Sequence, residues 1–214
     1  MSFPIDRALA VLRREARKWR VPAVGAVAGR PFPVLVSTLI SLRTKDAVTF
    51  PATARLLALA PTARKLAALD ARLIEETIYP ASFFRVKART LKSAARDLLD
   101  RFGGRVPDDV ESLCSIKGVG RKTANLVVTL GWGKPGICVD THVHRISNIW
   151  DYIRAKTPDD SELALRRRLP KKHWMTYNDL LVAFGQNLCV PVSPRCSECP
   201  LADLCPRRGV KHSR

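Results

Sequence analysis

Three groups of residues in this 214-residue chain have types and spacings that suit chemistry. The first is a set of four cysteines, Cys189, Cys196, Cys199 and Cys205, spaced C-x6-C-x2-C-x5-C within 17 residues. A short loop with that spacing can wrap four thiolates around one centre. Structural zinc usually draws on two C-x2-4-C knuckles with an intervening stretch, whereas a single C-x2-C with longer arms favours a [4Fe–4S] cube. Pro200 and Pro206, each following a cysteine, keep the loop from continuing as helix.

The second group is Ile116-Lys117-Gly118-Val119-Gly120-Arg121-Lys122-Thr123-Ala124-Asn125. A helix ending near Ser115 meets Gly-Val-Gly, where missing side chains permit positive φ and close approach of backbone to a ligand. A new helix begins at about Gly120, and the exposed N–H groups at its start form an anion site on which a DNA phosphate can dock without any base being read. Lys122 falls in the first turn of that helix, where its amine is a candidate nucleophile. The third group is Cys138-Val139-Asp140-Thr141-His142-Val143-His144-Arg145, in which Asp140 can cap the helix that follows. His142 and His144 have no carboxylate or cysteine at metal spacing and read as packing or phosphate-contacting residues.

The elements that must position these groups are helices. Apolar residues recur every three or four positions, as in Leu9, Leu12 and Ala16, or Leu91, Ala95, Leu98 and Leu99, and strand signals are nearly absent. The expected fold is all-α. Pro51, Pro61 and Pro80 are expected where one short helix yields to the next. Phe102-Gly103-Gly104 closes the segment that begins at about Phe84, and Val106-Pro107-Asp108-Asp109 opens another. The stretch from Val21 to Pro33 is the candidate crossing between two lobes.

Composition names the partner class. Thirty-seven Lys and Arg oppose 19 Asp and Glu, and the net charge of +18 attracts polyanions while repelling copies of the chain. Nucleic acid is the expected partner, with a monomer as the working form. Arg85, Lys87, Arg89, Lys92, Arg96, Arg101 and Arg105 form one basic stretch that could face phosphate, and Arg166 to Arg168 with Lys171 and Lys172 form another, equally well a solvated helix face. The chain has no run of about 18 apolar residues, which excludes a spanning helix, and no membrane partner is expected. Met1 to Arg7 lacks the features of a signal peptide, so a cytosolic, reducing compartment is expected, where thiols bind metal in preference to pairing as disulfides.

Taken in order, G-V-G-R-K-T-A, V-D-T-H and C-x6-C-x2-C-x5-C make the chain resemble the endonuclease III family of DNA glycosylases, within the helix-hairpin-helix glycosylase superfamily, from about Phe32 to Cys205. The resemblance implies a two-lobed, all-α fold. A six-helix domain would span 24–134, with its helix-hairpin-helix at about 110–130. A discontinuous helical domain would combine 1–23 with 135–214 and carry the [4Fe–4S] loop 189–205, and DNA would be bent across the cleft between them. It implies a bifunctional DNA N-glycosylase/AP lyase of base excision repair, active in a bacterial or archaeal nucleoid. Such an enzyme removes oxidised pyrimidines from duplex DNA and nicks the strand at damaged or abasic sites by β-elimination through a lysine Schiff base.

Lys122 then matches the nucleophile and Asp140 the catalytic aspartate. Gly118, Val119, Gly120 and Arg121 match the DNA-docking hairpin, and Cys189, Cys196, Cys199 and Cys205 match the cluster ligands. Three further DNA-binding positions depart from the family pattern. Arg43 stands where a gap-filling glutamine is usual, Phe83 where a leucine wedge is usual, and Arg195 is the one basic residue in the cluster loop Val190 to Arg195. Adenine-mismatch relatives carry a catalytic glutamate in the early helix, and Ser37 to Phe50 contains none; thymine-mismatch relatives usually replace the hairpin lysine. A reading from a different class, a non-catalytic iron–sulfur DNA-binding scaffold, is disfavoured by the intact Lys122 and Asp140.

Overall fold

The computed structural model describes residues 3–19 and 28–214, and its regular structure among them is helical throughout. The chain divides into two compact units, one made of Gly25–Gly136 and the other of Met1–Val24 with Ile137–Arg214. The first unit contains α2 (Pro31–Ser41), α3 (Asp46–Leu59), α4 (Ala63–Ala68), α5 (Ala71–Ile78), α6 (Phe84–Phe102), α7 (Val110–Cys114) and α8 (Arg121–Leu126). The second contains α1 (Ile5–Ala16) with α9 (Thr141–Ile149), α10 (Pro158–Arg168) and α11 (Trp174–Asn187).

Each unit has its own core. In the first, Leu35, Leu39, Ile40, Leu56, Ile74, Leu91, Leu98 and Leu113 are sealed from solvent, and α6 packs on both α4 and α5. In the second, α1 lays Leu9 and Leu12 against a cluster that includes Ile146, Trp150, Tyr177 and Phe184. Burial of each such side chain contributes about 1.5–3 kcal/mol. His173 ties α1 down further. Its buried ring accepts from Arg13 Nη2 at Nδ1 (2.7 Å), which leaves Nε2–H to donate to Asp6 Oδ1 at 2.8 Å.

The helix α6 ends as its sequence requires, with Gly103 in the left-handed region and the Gly104 N–H donating to Leu98 O. One expectation is corrected. Pro51 lies inside α3 and does not end it. Its missing N–H deprives the carbonyl of Ala47 of its helical donor, and because that residue is exposed water can serve it. The expected crossing from Val21 to Pro33 lies largely outside the described residues, and its last part is helical: Pro31 opens α2, where an absent N–H costs nothing. Among the described residues, no helix is long and apolar enough to cross a membrane.

Candidate functional site

The hairpin is built from α7 and α8 and braced from α6. Asp109 caps α7 by accepting from Ser112 N at 2.8 Å, and these bonds hold its carboxyl below the usual carboxylate range. Arg101 donates to the carbonyl (2.9 Å) and the hydroxyl (2.8 Å) of Ser115, and Asp97 Oδ2 accepts from Lys117 N at 2.9 Å. The turn is therefore held by side chains on a 19-residue helix in addition to its own few bonds.

Its two glycines serve different ends. Gly118 has a φ of 86°, and a Cβ there would lie 2.4 Å from Thr90 Cγ2. Both backbone and packing exclude a side chain. Gly120 caps α8 with an ordinary φ of −87°, and a Cβ there would meet nothing within 4 Å. What its missing side chain leaves open is space in front of the helix start. Arg121 points its guanidinium toward Glu111 Oε1 at 3.5 Å, and Lys122 is exposed in the first helical turn. Val119 departs from the sequence reading, for its side chain is buried in the core and its N–H donates to Ile116 O. It shapes the loop and has neither group to offer a ligand.

Asp140 caps α9, its Oδ1 accepting from Val143 N at 2.9 Å while the residue stays half-buried. The cap occupies one carboxylate oxygen. His142 packs on Gly185 so closely that a Cβ there would fall 2.3 Å from Nδ1, and His144 Nδ1 lies 2.7 Å from Ser161 Oγ. Both histidines are packing groups.

Arg43 and Phe83 are 40 residues apart in sequence and stand together in space, with the guanidinium carbon 5.7 Å from the ring centroid. Both are exposed, and both adopt left-handed backbone, with φ of 55° and 57°. Paired outliers of this kind concentrate where a surface has a task. Lys87 does not belong to the phosphate-facing stretch in which the sequence placed it. Only 6% exposed, it donates to Ile40 O and Thr44 Oγ1, each at 2.5 Å, and burial pushes its ammonium below the usual lysine range. Lys92 on Leu69 O and Arg101 on Ser115 are likewise engaged within the fold. Arg85, Arg89, Arg96 and Arg105 remain exposed. The second basic run is more structural: Arg166 pairs with Glu162 over the Trp174 ring, Arg168 lies over Tyr152, and Lys172 pairs with Asp6.

The four cysteines of the loop line one pocket whose remaining wall is mostly carbon, from Ile149, Trp150, Phe184, Leu188 and Val210. Burial raises the thiols of Cys189 and Cys205 and pushes Cys199 up to about 11. Four thiolates are unfavourable there unless a cationic centre offsets them, which is what a coordinated iron–sulfur core does. Four thiols around a pocket match a cube better than a lone tetrahedral zinc. Arg145 is a participant the sequence did not reveal. From α9 it donates to Cys189 Sγ at 3.6 Å and to the carbonyls of Cys189 and Val190, a contact between residues 44 positions apart. Arg195 is exposed just before Cys196, its N–H bound to Leu188 O.

With this geometry in view, residues 36–171 match the HhH-GPD superfamily of base excision DNA repair proteins, and residues 189–205 match the iron-sulfur binding domain of endonuclease III. The chain belongs to the endonuclease III family of that superfamily, and it is accordingly a DNA-binding glycosylase/AP lyase carrying a [4Fe–4S] cluster. It is 41% identical over 182 residues to endonuclease III of Thermotoga maritima, with 84% of this chain and 85% of that protein covered. With endonuclease III-like protein 1 of Gallus gallus it shares 40% identity over 82% of this chain and 63% of the relative. Among solved structures, a trapped endonuclease III–DNA covalent intermediate superposes with a TM-score of 0.82 at 31% identity, over 95% of this chain and 94% of that one. A non-covalent endonuclease III–DNA complex gives 0.81 at the same identity and coverage.

Proposed function

We propose that this enzyme removes oxidised pyrimidines from duplex DNA, with Lys122 as nucleophile and Asp140 as its catalytic carboxylate. The supporting observation is that an exposed lysine occupies the first turn of α8, directly behind a hairpin whose Gly120 leaves the helix start open. In this reading a phosphate docks on the hairpin and the damaged nucleotide is flipped out of the stack. Asp140 takes a proton from the Lys122 ammonium, and the freed Nζ attacks C1′. The glycosidic bond breaks with its electron pair going to the base, which takes up a proton. Opening of the sugar ring gives an imine to Nζ, loss of the C2′ proton follows, and the C3′–O bond breaks with the phosphate as leaving group. The [4Fe–4S] cluster, held by Cys189, Cys196, Cys199 and Cys205, stabilises its loop and takes no part in these steps.

Arg43 and Phe83 fill the space that the flipped base vacates, and Gly118, Gly120, Arg121 and Arg195 meet the backbone. The lobes are assigned as 24–134 and as 1–23 with 135–214. A net charge of +18 favours a monomer that works alone on chromosomal DNA in the cytoplasm. Borohydride trapping tests the assignment directly. Wild-type protein should become covalently attached to a duplex bearing one oxidised pyrimidine and not to the undamaged duplex, whereas Lys122→Ala should bind both and trap neither. Undiminished trapping by Lys122→Ala would refute the role of Lys122, and trapping on an abasic duplex alone would refute the substrate class.

A further inference from the structure

Arg43 and Phe83 lie on separate loops, one between α2 and α3 and the other between α5 and α6, and a single hydroxyl joins those loops. Thr44 Oγ1 accepts from Ser82 N at 3.1 Å and from Lys87 Nζ at 2.5 Å. Ser82 immediately precedes Phe83 and Thr44 immediately follows Arg43, so the junction is one residue from each exposed side chain. Lys87 extends it by donating also to Ile40 O, at the last turn of α2. On its other side the Phe83 loop is fixed by Arg55, which donates to Thr77 O at 2.9 Å and to Tyr79 O at 2.8 Å. The loop carrying Phe83 is thus held at both ends, and the loop carrying Arg43 at one shared point.

The arrangement is costly to build. An ammonium on a residue 6% exposed loses hydration, and two residues hold left-handed backbone that side chains disfavour. Packing alone requires neither. A lysine at this helical position needs only to lie along the surface with its charge in water.

The geometry points to Thr44 and Lys87 as positioning residues that lock the Arg43 and Phe83 loops into one rigid unit for entry into duplex DNA. This inference rests on the gap-filling reading of Arg43 and Phe83. Two side chains fixed relative to each other before contact lose little freedom when they enter the stack, whereas two independent loops must be ordered at that moment. The junction should therefore matter only when a paired base has to be displaced. Cleavage at a single-stranded abasic site, which uses Lys122 without any such displacement, should be indifferent to it.

The test compares kcat/KM on a duplex containing an oxidised pyrimidine with that on a single-stranded abasic oligonucleotide, using the full-length holoenzyme. The ratio cancels any loss of folded enzyme, because both substrates draw on the same population. Thr44→Val keeps the shape and removes the acceptor, and it should lower the ratio about tenfold, the scale of a small misplacement. Thr44→Ser restores the hydroxyl and should return it to within about twofold. A 2-aminopurine placed beside the lesion should brighten on binding of wild type and Thr44→Ser, and much less with Thr44→Val. Arg43→Ala and Phe83→Ala serve as references. If they lower the ratio while Thr44→Val leaves it unchanged, the positioning role is overturned and gap filling stands. If they too leave it unchanged, gap filling fails and the inference fails with it. Equal losses on both substrates for Thr44→Val would make the junction merely structural and would also overturn it.

Discussion

The two glycines of the hairpin separate stability from DNA contact. Gly118→Ala forces an L side chain into left-handed backbone, at a cost of about 1–2 kcal/mol. Its Cβ would sit 2.4 Å from Thr90 Cγ2, and Thr90 is poorly placed to yield. It is β-branched, and its hydroxyl donates to Val86 O at 3.0 Å. Overpacking of that kind adds about 1–3 kcal/mol. The sum of about 2–5 kcal/mol corresponds to a fall in Tm of about 4–20 °C for a chain of this size. Gly120→Ala meets nothing within 4 Å and keeps a permitted φ, so it should change stability by only about 0.5 kcal/mol, the difference between Gly and Ala at a helix start. Its Cβ would, however, occupy the space through which a phosphate reaches the N–H groups of α8. Loss of bonds to a charged group, about 1.5–3 kcal/mol, predicts DNA affinity weaker by about 10- to 100-fold. Thermal unfolding followed by circular dichroism, with Kd from fluorescence anisotropy on a short duplex, reads both quantities. Adding Thr90→Ser to Gly118→Ala removes the clashing methyl and should recover the packing part alone. A melting point unmoved by Gly118→Ala, or full DNA affinity in Gly120→Ala, would refute the reasoning.

Asp140→Asn should excise almost no base yet melt within about 0.5 kcal/mol of wild type, because Asn caps a helix as well as Asp does, whereas Asp140→Ala should also cost about 1 kcal/mol; near-normal turnover by the Asn variant would leave Asp140 only a cap. Cys199→Ser should lower bound iron and the visible absorption of the purified protein and loosen the 189–205 loop to proteolysis, and unchanged iron content would remove Cys199 from the ligand set. DNA affinity should fall with salt at a slope of about −0.9 per phosphate neutralised. Arg85→Ala or Arg89→Ala should make that slope shallower by about one unit if its side chain meets a phosphate, while Lys87→Met should leave it unchanged because the ammonium is bound within the fold.

The candidate site residues stand out in the sequence because their signals are local. Four cysteines within 17 residues, two glycines before a helix start and an aspartate before Thr141 each declare themselves within a few positions. Helix ends such as Gly103 were equally plain, since a C-cap depends on nearest neighbours. Arg43 and Phe83 are singled out only by the family resemblance, and nothing local says that they touch. What local pattern misjudged was the fate of charge. Lys87, Lys92 and Arg101 sit in the same basic run as Arg85 and Arg89, and only the packing of α6 on its neighbours decides that Lys87 is buried and that Lys92 and Arg101 are tied to backbone carbonyls.

The sequence by itself therefore determined the all-helical class, the hairpin, the cluster loop, the lysine in the first turn of one helix and the aspartate that caps another. Each follows from bonds and conformational limits that act over one or two helical turns. Tertiary structure alone decided that Val119 and Lys87 turn inward, that Arg145 reaches Cys189, and that Thr44 ties two distant loops together. Those outcomes depend on which surfaces exclude water from each other, and residues 38 to 44 positions apart have no local term that records it.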